Sequence, residues 1–186
     1  MTQWVFCLEE ASARELIAGL LKRLGANLDA KFIVFDGKQD LRKQLPRRLR
    51  GWIDPSARFI IMQDQDSHPD CKVLKQELAT LCAQAGRPDS IIRLACRELE
   101  SFYLGDLAAV ERGLGKSGLK RHQGKRKFAI PDALGSPSRE LHALTGGLYQ
   151  KVSGSRAIAP HLALEGNYSH SFKVLLDTLR IIANRE

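Results

Sequence analysis

The sequence lacks the features that identify several common classes of protein. No apolar run approaches the length of a membrane span, and the segment Met1–Trp4 has neither the basic nor the apolar region of a signal peptide. The chain also contains no glycine-rich phosphate-binding loop and no motif of a nucleophile triad. We therefore expect a cytoplasmic protein that does not enter a membrane and is neither an ATPase nor a triad hydrolase.

Cysteine is scarce, and its spacing excludes the usual metal and disulfide frameworks. The four cysteines are Cys7, Cys71, Cys82 and Cys96. None forms a CxxC pair, and each lies in an apolar pattern. In a reducing compartment such cysteines are small buried hydrophobic residues, not zinc ligands.

Acidic residues are outnumbered by basic ones. The 186 residues include 29 Lys and Arg against 21 Asp and Glu, which gives a formal charge of +8. Hydrophobic residues make up 44% of the chain, as in an ordinary globular protein. The length suits one well-packed domain with a small appendage. The excess positive charge favours a polyanionic partner, and surface charge that serves only solubility is the alternative.

Four short apolar runs alternate with amphipathic helical patterns. The runs are Trp4–Leu8, Phe32–Phe35, Phe59–Met62 and Ile91–Cys96. This alternation predicts an α/β fold with a mostly parallel four-stranded sheet flanked by helices, and the second run is apolar on both faces, as in a central strand. Residues 38–52 are predicted to be helical, with Pro46 as a kink or a new start. We place this core at 1–112 and a basic loop with a helical C-terminal extension at 113–186.

Acidic residues follow three of the four predicted strands. They are Glu9, Glu10, Asp64, Asp66, Glu98 and Glu100. Because the carboxyl ends of parallel strands share one edge of a sheet, these carboxylates are expected to gather where α/β folds bind their ligands. They would repel one another unless a divalent cation or a shared proton neutralised them. The pattern favours a magnesium-type site.

The spacing within the acidic pairs refines this prediction. Asp64 and Asp66 are two residues apart, so both side chains would point the same way if the strand stayed extended. Glu98 and Glu100 have the same spacing but precede a helix, where side chains two residues apart point in different directions. Only one of them is therefore expected to reach a metal. For an isolated DxD pair, a turn or a helix cap is the alternative.

At these residues the sequence resembles a known family. An acid after the first strand and DxD after the third form the signature of the TOPRIM fold, which topoisomerases, primases and nucleases of the overcoming-lysogenization-defect type share. More closely, the chain resembles the TOPRIM-like domain of unknown function 4276. The segments that carry the resemblance are Phe6–Ser12, Phe35–Trp52, Asp64–Lys75, Arg97–Asp106 and Arg156–Phe172.

The resemblance implies roles for the acidic residues. Glu9 would act as general acid and base or help to hold the metal. Asp64 and Asp66 would be the principal ligands of Mg²⁺ or Mn²⁺, and Glu98 and Glu100 would complete the acidic edge. The resemblance also implies a TOPRIM-like nuclease that works as an effector beside an ABC- or SMC-like ATPase in prokaryotic defence.

Two basic segments are candidates for binding the phosphate backbone of a nucleic acid. The candidate residues are Lys38, Arg42, Lys43, Arg47, Arg48 and Arg50 after the second strand, and Lys120, Arg121, Lys125, Arg126 and Lys127 in a predicted mobile loop. The first segment follows a strand end, which would place it near the acidic edge. A solvated helix face is the alternative. With a single aromatic residue, Phe128, just beyond the loop, we expect contacts with the backbone and no sequence specificity.

The C-terminal motif admits two interpretations. Asn167, Ser169 and Ser171 could bind a phosphate at the N-terminus of the last helix, or they could fasten that helix to the core.

Three functions remain open on the sequence. The first is a nuclease dependent on Mg²⁺ or Mn²⁺, which cleaves DNA or RNA. The second is a module that binds nucleic acid or a partner, in which the acids serve structure. The third is phosphoryl chemistry on a small nucleotide at the same site.

Overall fold

The computed structural model describes residues 2–184, which form a four-stranded sheet with helices on both faces. The strands are β1 (Gln3–Leu8), β2 (Asp29–Val34), β3 (Arg58–Asp64) and β4 (Ile91–Ala95). The helices are α1 (Ala11–Arg23), α2 (Lys38–Arg50), α3 (Cys71–Gln84), α4 (Glu100–Leu104), α5 (Leu107–Leu114), α6 (Pro137–Thr145), α7 (Lys151–Ile158) and α8 (His170–Ala183). Within this part of the chain, no helix has the length and apolar character that crossing a membrane requires.

The sheet is parallel throughout, with the strand order β2-β1-β3-β4. Side chains alternate along β1 and β3, so each strand contributes to two hydrophobic clusters, one on each face of the sheet. Trp4, Phe6 and Leu8 pack with α1 and the C-terminal helices. Val5 and Cys7 pack with α2 and α3 on the opposite face. This three-layered α/β architecture is the one that the alternation of strands and helices predicted.

The prediction that the second strand is central was wrong. β2 pairs only with β1 and forms an edge of the sheet. Its side chains are half-buried or exposed, and Val34 is 39% exposed. The apolar character of this segment has other causes. Phe32 stacks on Phe6 with the ring centroids 5.2 Å apart, and Phe35 lies beyond the strand and is buried under α2.

α2 continues through Pro46 without a second start. Leu41, Leu45 and Leu49 recur every four residues and are fully buried, so packing of one face against the sheet outweighs the backbone hydrogen bond that proline removes.

The predicted loop after α5 is tied to the core. It contains two 3₁₀ turns, Lys120–His122 and Arg126–Phe128. Leu119 and Phe128 are buried beside these turns. The hydrophobic side chains of this segment therefore hold its basic residues in place on the surface.

The C-terminal motif fastens α8. Ser169 caps the helix, since its Oγ accepts a hydrogen bond from Phe172 N at 3.1 Å. Asp132 Oδ2 accepts a hydrogen bond from Ser171 N at 2.8 Å, and Asn167 Nδ2 donates to the Phe102 carbonyl at 3.0 Å. A carboxylate of the chain itself thus occupies the helix N-terminus, which supports the anchoring interpretation.

Candidate functional site

The strand order creates a switch point between β1 and β3. The chain leaves β1 toward β2 on one side, and it returns to place β3 on the other side of β1. In open α/β sheets, ligands bind beyond the carboxyl ends of the strands at such a point. Glu9 follows β1 and Asp64 ends β3, and Glu9 N continues the pairing of the strands by donating to the Met62 carbonyl at 3.2 Å. The fold therefore brings these two predicted site residues together.

Glu9 and Asp64 are joined directly. Asp64 N donates a hydrogen bond to Glu9 Oε2 at 2.9 Å. The side chain of Asp64 points toward α4, where its Oδ2 accepts a hydrogen bond from Leu99 N at 3.2 Å. Asp64 is only 9% exposed. One oxygen of each carboxylate, Glu9 Oε1 and Asp64 Oδ1, accepts no hydrogen bond from the described residues and remains available to a ligand.

Burial makes the ionised forms of both carboxylates unfavourable. It raises the pKa of Asp64 well above the ordinary value, and the charges of Glu9 and Glu100 raise it further. Burial also raises the pKa of Glu9, and the Asp64 N–H group opposes that shift. Neither side chain forms an ion pair within residues 2–184. Repulsion of this kind is relieved by a proton or by a bound cation.

Asp66 lies in a turn and not in an extended strand. β3 ends at Asp64, and Asp66 has a φ of 51°. Its amide donates to the Arg97 carbonyl at 2.6 Å, and Arg97, with a φ of 64°, is the second non-glycine residue in the left-handed region among those described. The carboxylate of Asp66 contacts Lys38 Nζ at 2.7 Å. Asp64 and Asp66 therefore do not share the extended backbone on which the prediction of a common direction rested.

The side chains of Glu98 and Glu100 diverge, as their spacing ahead of a helix predicts. Glu98 Oε2 accepts a hydrogen bond from Ser138 N at 2.6 Å and so caps the start of α6. Glu100 is 0% exposed and accepts a hydrogen bond from Tyr149 Oη at 3.0 Å. The other oxygen of Glu100, Oε2, has no hydrogen-bond partner among the described residues. Burial raises the pKa of the Glu100 carboxyl group. Of the two, Glu100 is the one whose charge acts on Asp64.

Lys151 is a residue of the site that the sequence did not reveal. Its Nζ lies 3.0 Å from Glu10 Oε2. Burial lowers the pKa of Lys151, but the hydrogen bond and charge of Glu10, with the charges of Glu100 and Asp64, outweigh this effect and raise it. Lys151 is the first residue of α7, which packs against α1. No local pattern distinguishes this lysine in the sequence. Only the packing of α7 on α1 brings it to the acidic edge.

Comparison with protein families identifies the chain. The family described as Domain of unknown function (DUF4276) matches residues 8–180. The chain belongs to the DUF4276 family. No curated protein matches it.

Among solved structures, the DUF4276 chain is similar to the C-terminal regions of two OLD proteins. The region from the Xanthomonas campestris pv. campestris OLD protein superposes with a TM-score of 0.57 at 12% sequence identity, and the match covers 100% of this chain and 98% of that chain. The region from the Burkholderia pseudomallei OLD protein gives a TM-score of 0.55 at 16% identity, over 98% of this chain and 99% of that chain. At this level of identity the likeness establishes a shared fold.

The carboxylates of the DUF4276 chain fit a cation that keeps much of its water. Within residues 2–184, no three His, Cys, Asp or Glu side chains are arranged as a complete metal-binding group. Mg²⁺ in phosphoryl-transfer sites is commonly held by one or two carboxylates together with water and substrate phosphates. Glu9 Oε1 and Asp64 Oδ1, neither of which has a cationic partner among these residues, match this type and number of ligand. Asp66 lies beside them and adds to the negative charge that acts on Glu9.

The basic residues predicted on α2 divide into two groups. Lys38 lies in the first turn, at the acidic edge, and Arg42 pairs with Glu77 at 2.9 Å. Lys43, Arg47, Arg48 and Arg50 are exposed. A helix rises 1.5 Å per residue, so Arg50 is about 18 Å from Lys38 along the axis. The expectation that the whole segment lies near the acidic edge therefore holds for its first turn alone.

The basic residues of the second segment lie on the surface around the two 3₁₀ turns. They are Lys120, Arg121, Lys125, Arg126 and Lys127, and all five are exposed. Lys127 contacts Glu140 of α6 at 2.6 Å. α6 also carries Arg139, which lines a cavity of about 360 Å³ together with Glu100 and Lys151. Through α6, the basic segment of the DUF4276 chain thus adjoins the site.

Proposed function

We propose that this protein is a metal-dependent nuclease that cleaves phosphodiester bonds in DNA or RNA. The observation that carries the proposal is the pair of carboxylates at the β1–β3 switch point. Asp64 is buried beside Glu9, burial raises the pKa of both, and neither has a cationic partner in the described part of the chain. Such an arrangement is costly unless a ligand offsets it. The basic surroundings favour a phosphate-bearing substrate.

The side chains around this pair have complementary roles in the proposed reaction. Glu9 and Asp64 would hold Mg²⁺ or Mn²⁺, and Asp66 would join them only if it released Lys38. When bound, the cation would acidify water and neutralise charge on the phosphate. Alternatively, Glu9 would not bind the cation and would instead accept a proton from the attacking water. Lys38 and Lys151 approach the site from α2 and α7, where their ammonium groups can orient the phosphate.

We further propose that the protein acts as an effector that works with an ATPase partner in prokaryotic defence. The resemblance to nucleases of the overcoming-lysogenization-defect type and the shared fold with the C-terminal regions of OLD proteins support this role. The sequence has no phosphate-binding loop of its own, so ATP hydrolysis would come from another polypeptide or domain.

A cleavage assay with one isosteric substitution tests the nuclease. The purified protein is incubated with plasmid or single-stranded DNA and Mn²⁺, and Asp64→Asn is compared with the wild type. We expect a decrease of at least about two orders of magnitude in cleavage rate, in line with the removal of one group that stabilises charge in a transition state. Asp89→Asn is the matched control. Asp89 is exposed and lies just before β4, at the amino ends of the strands, so this variant should cleave normally. Undiminished cleavage by Asp64→Asn would refute the assigned site.

A second candidate is a binding module without catalysis. It is favoured by the ion pairs Lys38–Asp66 and Lys151–Glu10, in which lysines already neutralise two acids of the edge. In that case binding of nucleic acid would fall with salt but would survive both a chelator and Asp64→Asn. The same two variants in a filter-binding assay separate the candidates.

A further inference from the structure

A second feature lies next to the acidic edge, on the face of the sheet that carries α2 and α3. It is a cavity of about 290 Å³, lined by residues that include Lys38, Gln39, Arg42, Gln63 and Leu74. Lys38 connects it to the site, because its ammonium group contacts Asp66. The cavity therefore adjoins the place where the proposed nuclease would hold the scissile phosphate.

The floor of the cavity contains a buried amide with an unsatisfied oxygen. Gln63 continues the alternation of Phe59 and Ile61, so its side chain faces α2 and α3. It is 2% exposed. Gln63 Nε2 makes a long contact with the Asp64 carbonyl at 3.4 Å, and Oε1 has no partner among the described residues. An unpaired buried acceptor is destabilising, so an amide at a position where the strand is otherwise apolar indicates a ligand that donates a hydrogen bond.

The charges at the rim are largely balanced. Asp66 pairs with Lys38 at 2.7 Å, and Glu77 pairs with Arg42 at 2.9 Å. A free anion would gain little in such surroundings. An uncharged acceptor in Gln63, a second amide in Gln39 and the apolar wall of Leu74 suit a flat polar ring with N–H donors.

We propose that this cavity receives one unpaired nucleobase of the substrate strand, next to the phosphate at the acidic edge, and that Gln63 Oε1 accepts a hydrogen bond from it. The proposal rests on the proposed nuclease function and specifies its substrate. Each of the four bases has at least one N–H donor on its Watson–Crick edge, so the contact does not select a sequence. It requires that the base be unpaired, because pairing occupies that edge. The substrate is then single-stranded or locally opened.

The test compares binding of intact and abasic strands. A fluorescently labelled single strand of about 12 nucleotides and the same strand with abasic sites are titrated in EDTA, which prevents metal-dependent cleavage, and fluorescence anisotropy is recorded. The two probes have the same phosphates, so they differ in base contacts alone. We expect the wild type to bind the intact strand about 3–10-fold more tightly, as one hydrogen bond permits. Gln63→Met should remove most of this preference.

Two further variants guard against an effect on folding. Gln84→Met makes the same chemical change at an exposed position of α3 outside the cavity and should keep the preference. Gln39→Ala removes the second amide from an exposed position on α2 and should weaken the preference without altering the core. Adenosine monophosphate that displaces the intact strand more effectively than ribose 5-phosphate would support the base site, because the two competitors have the same phosphate and differ in the base.

The outcomes separate this inference from the nuclease proposal. Equal binding of the two strands by the wild type, or a preference that Gln63→Met leaves unchanged, would overturn the inference while cleavage by the wild type still supported the nuclease. A preference that depends on Gln63, in a protein that cleaves nothing with Mn²⁺, would support the base site and contradict cleavage by this chain without its proposed ATPase partner.

Discussion

Asp64 has a carboxylate in a place from which protein atoms exclude most of the water. Its pKa is raised in the folded protein, so the folded state holds a proton that the unfolded state has already released. Stability therefore falls as the pH rises from the ordinary carboxyl pKa of about 3.9 through the raised value, and it stays lower above that value. Below the ordinary pKa both states are protonated, and Asp64 has no effect.

The direction of this pH dependence gives a test that needs no substrate. We expect Asp64→Asn to raise the melting temperature at pH 8 by several degrees, equivalent to roughly 1–2 kcal/mol, because the amide removes the buried charge. The gain should shrink toward pH 4. Thermal melts without metal, with Asp89→Asn as the exposed control, measure it. A gain of the same size at both pH values would mean that the charge of Asp64 is not the cause.

At the scale of elements, the position of α7 decides whether Lys151 reaches the acids. α5 and α7 approach so closely that a Cβ atom at Gly113 would lie 2.7 Å from the Ala157 carbonyl oxygen. The oxygen belongs to the backbone and the position of a Cβ atom is fixed by the backbone, so neither can turn aside. A glycine is therefore required for the contact of the two helices, which in turn holds Lys151 beside Glu10.

Gly113→Ala should separate the two helices. We expect a decrease of about 1–3 kcal/mol in the free energy of unfolding, which exceeds the gain in helix propensity that alanine brings. Chemical denaturation measures the decrease, and cleavage should fall with it as Lys151 moves. Gly124→Ala is the matched control because a Cβ atom there would meet nothing within 4 Å. Equal stability of the two variants would show that the helices adjust at no cost.

The sequence predicts those parts of the site that depend on strands. Glu9 and Asp64 each follow a continuous apolar run, and parallel pairing is enough to bring such positions to one edge. Lys151 and Glu10 are 141 residues apart, and their meeting depends on how α7 packs, which no local pattern encodes. The edge position of β2 could not be predicted because the apolar residues of this segment have other partners. Phe32 stacks on Phe6 of β1, and Phe35 lies beyond the strand and packs under α2.

At the scale of the whole molecule, positive charge is spread over separate surfaces, although the acids gather at one edge. The last turn of α2 carries Arg47, Arg48 and Arg50, and Arg50 lies about 18 Å from Lys38 along the helix axis. In a duplex, neighbouring phosphates of one strand are about 3.4 Å apart along the axis, and an extended single strand spaces them more widely, so several nucleotides are needed to connect the two places and a dinucleotide is too short. Short strands should not reach the distal arginines.

The contribution of these arginines should thus depend on the length of the nucleic acid. We expect replacement of Arg47, Arg48 and Arg50 by Gln to weaken binding of a strand of about 20 nucleotides and to reduce the slope of log K against log salt by about 0.7 for each phosphate that the variant no longer neutralises. Binding of a dinucleotide should not change, whereas Lys38→Ala should weaken both. Anisotropy titrations at several salt concentrations measure the slopes. If the triple variant weakens the short and the long strand equally, nucleic acid does not run along α2 from the acidic edge, and the +8 charge acts only as a general attraction.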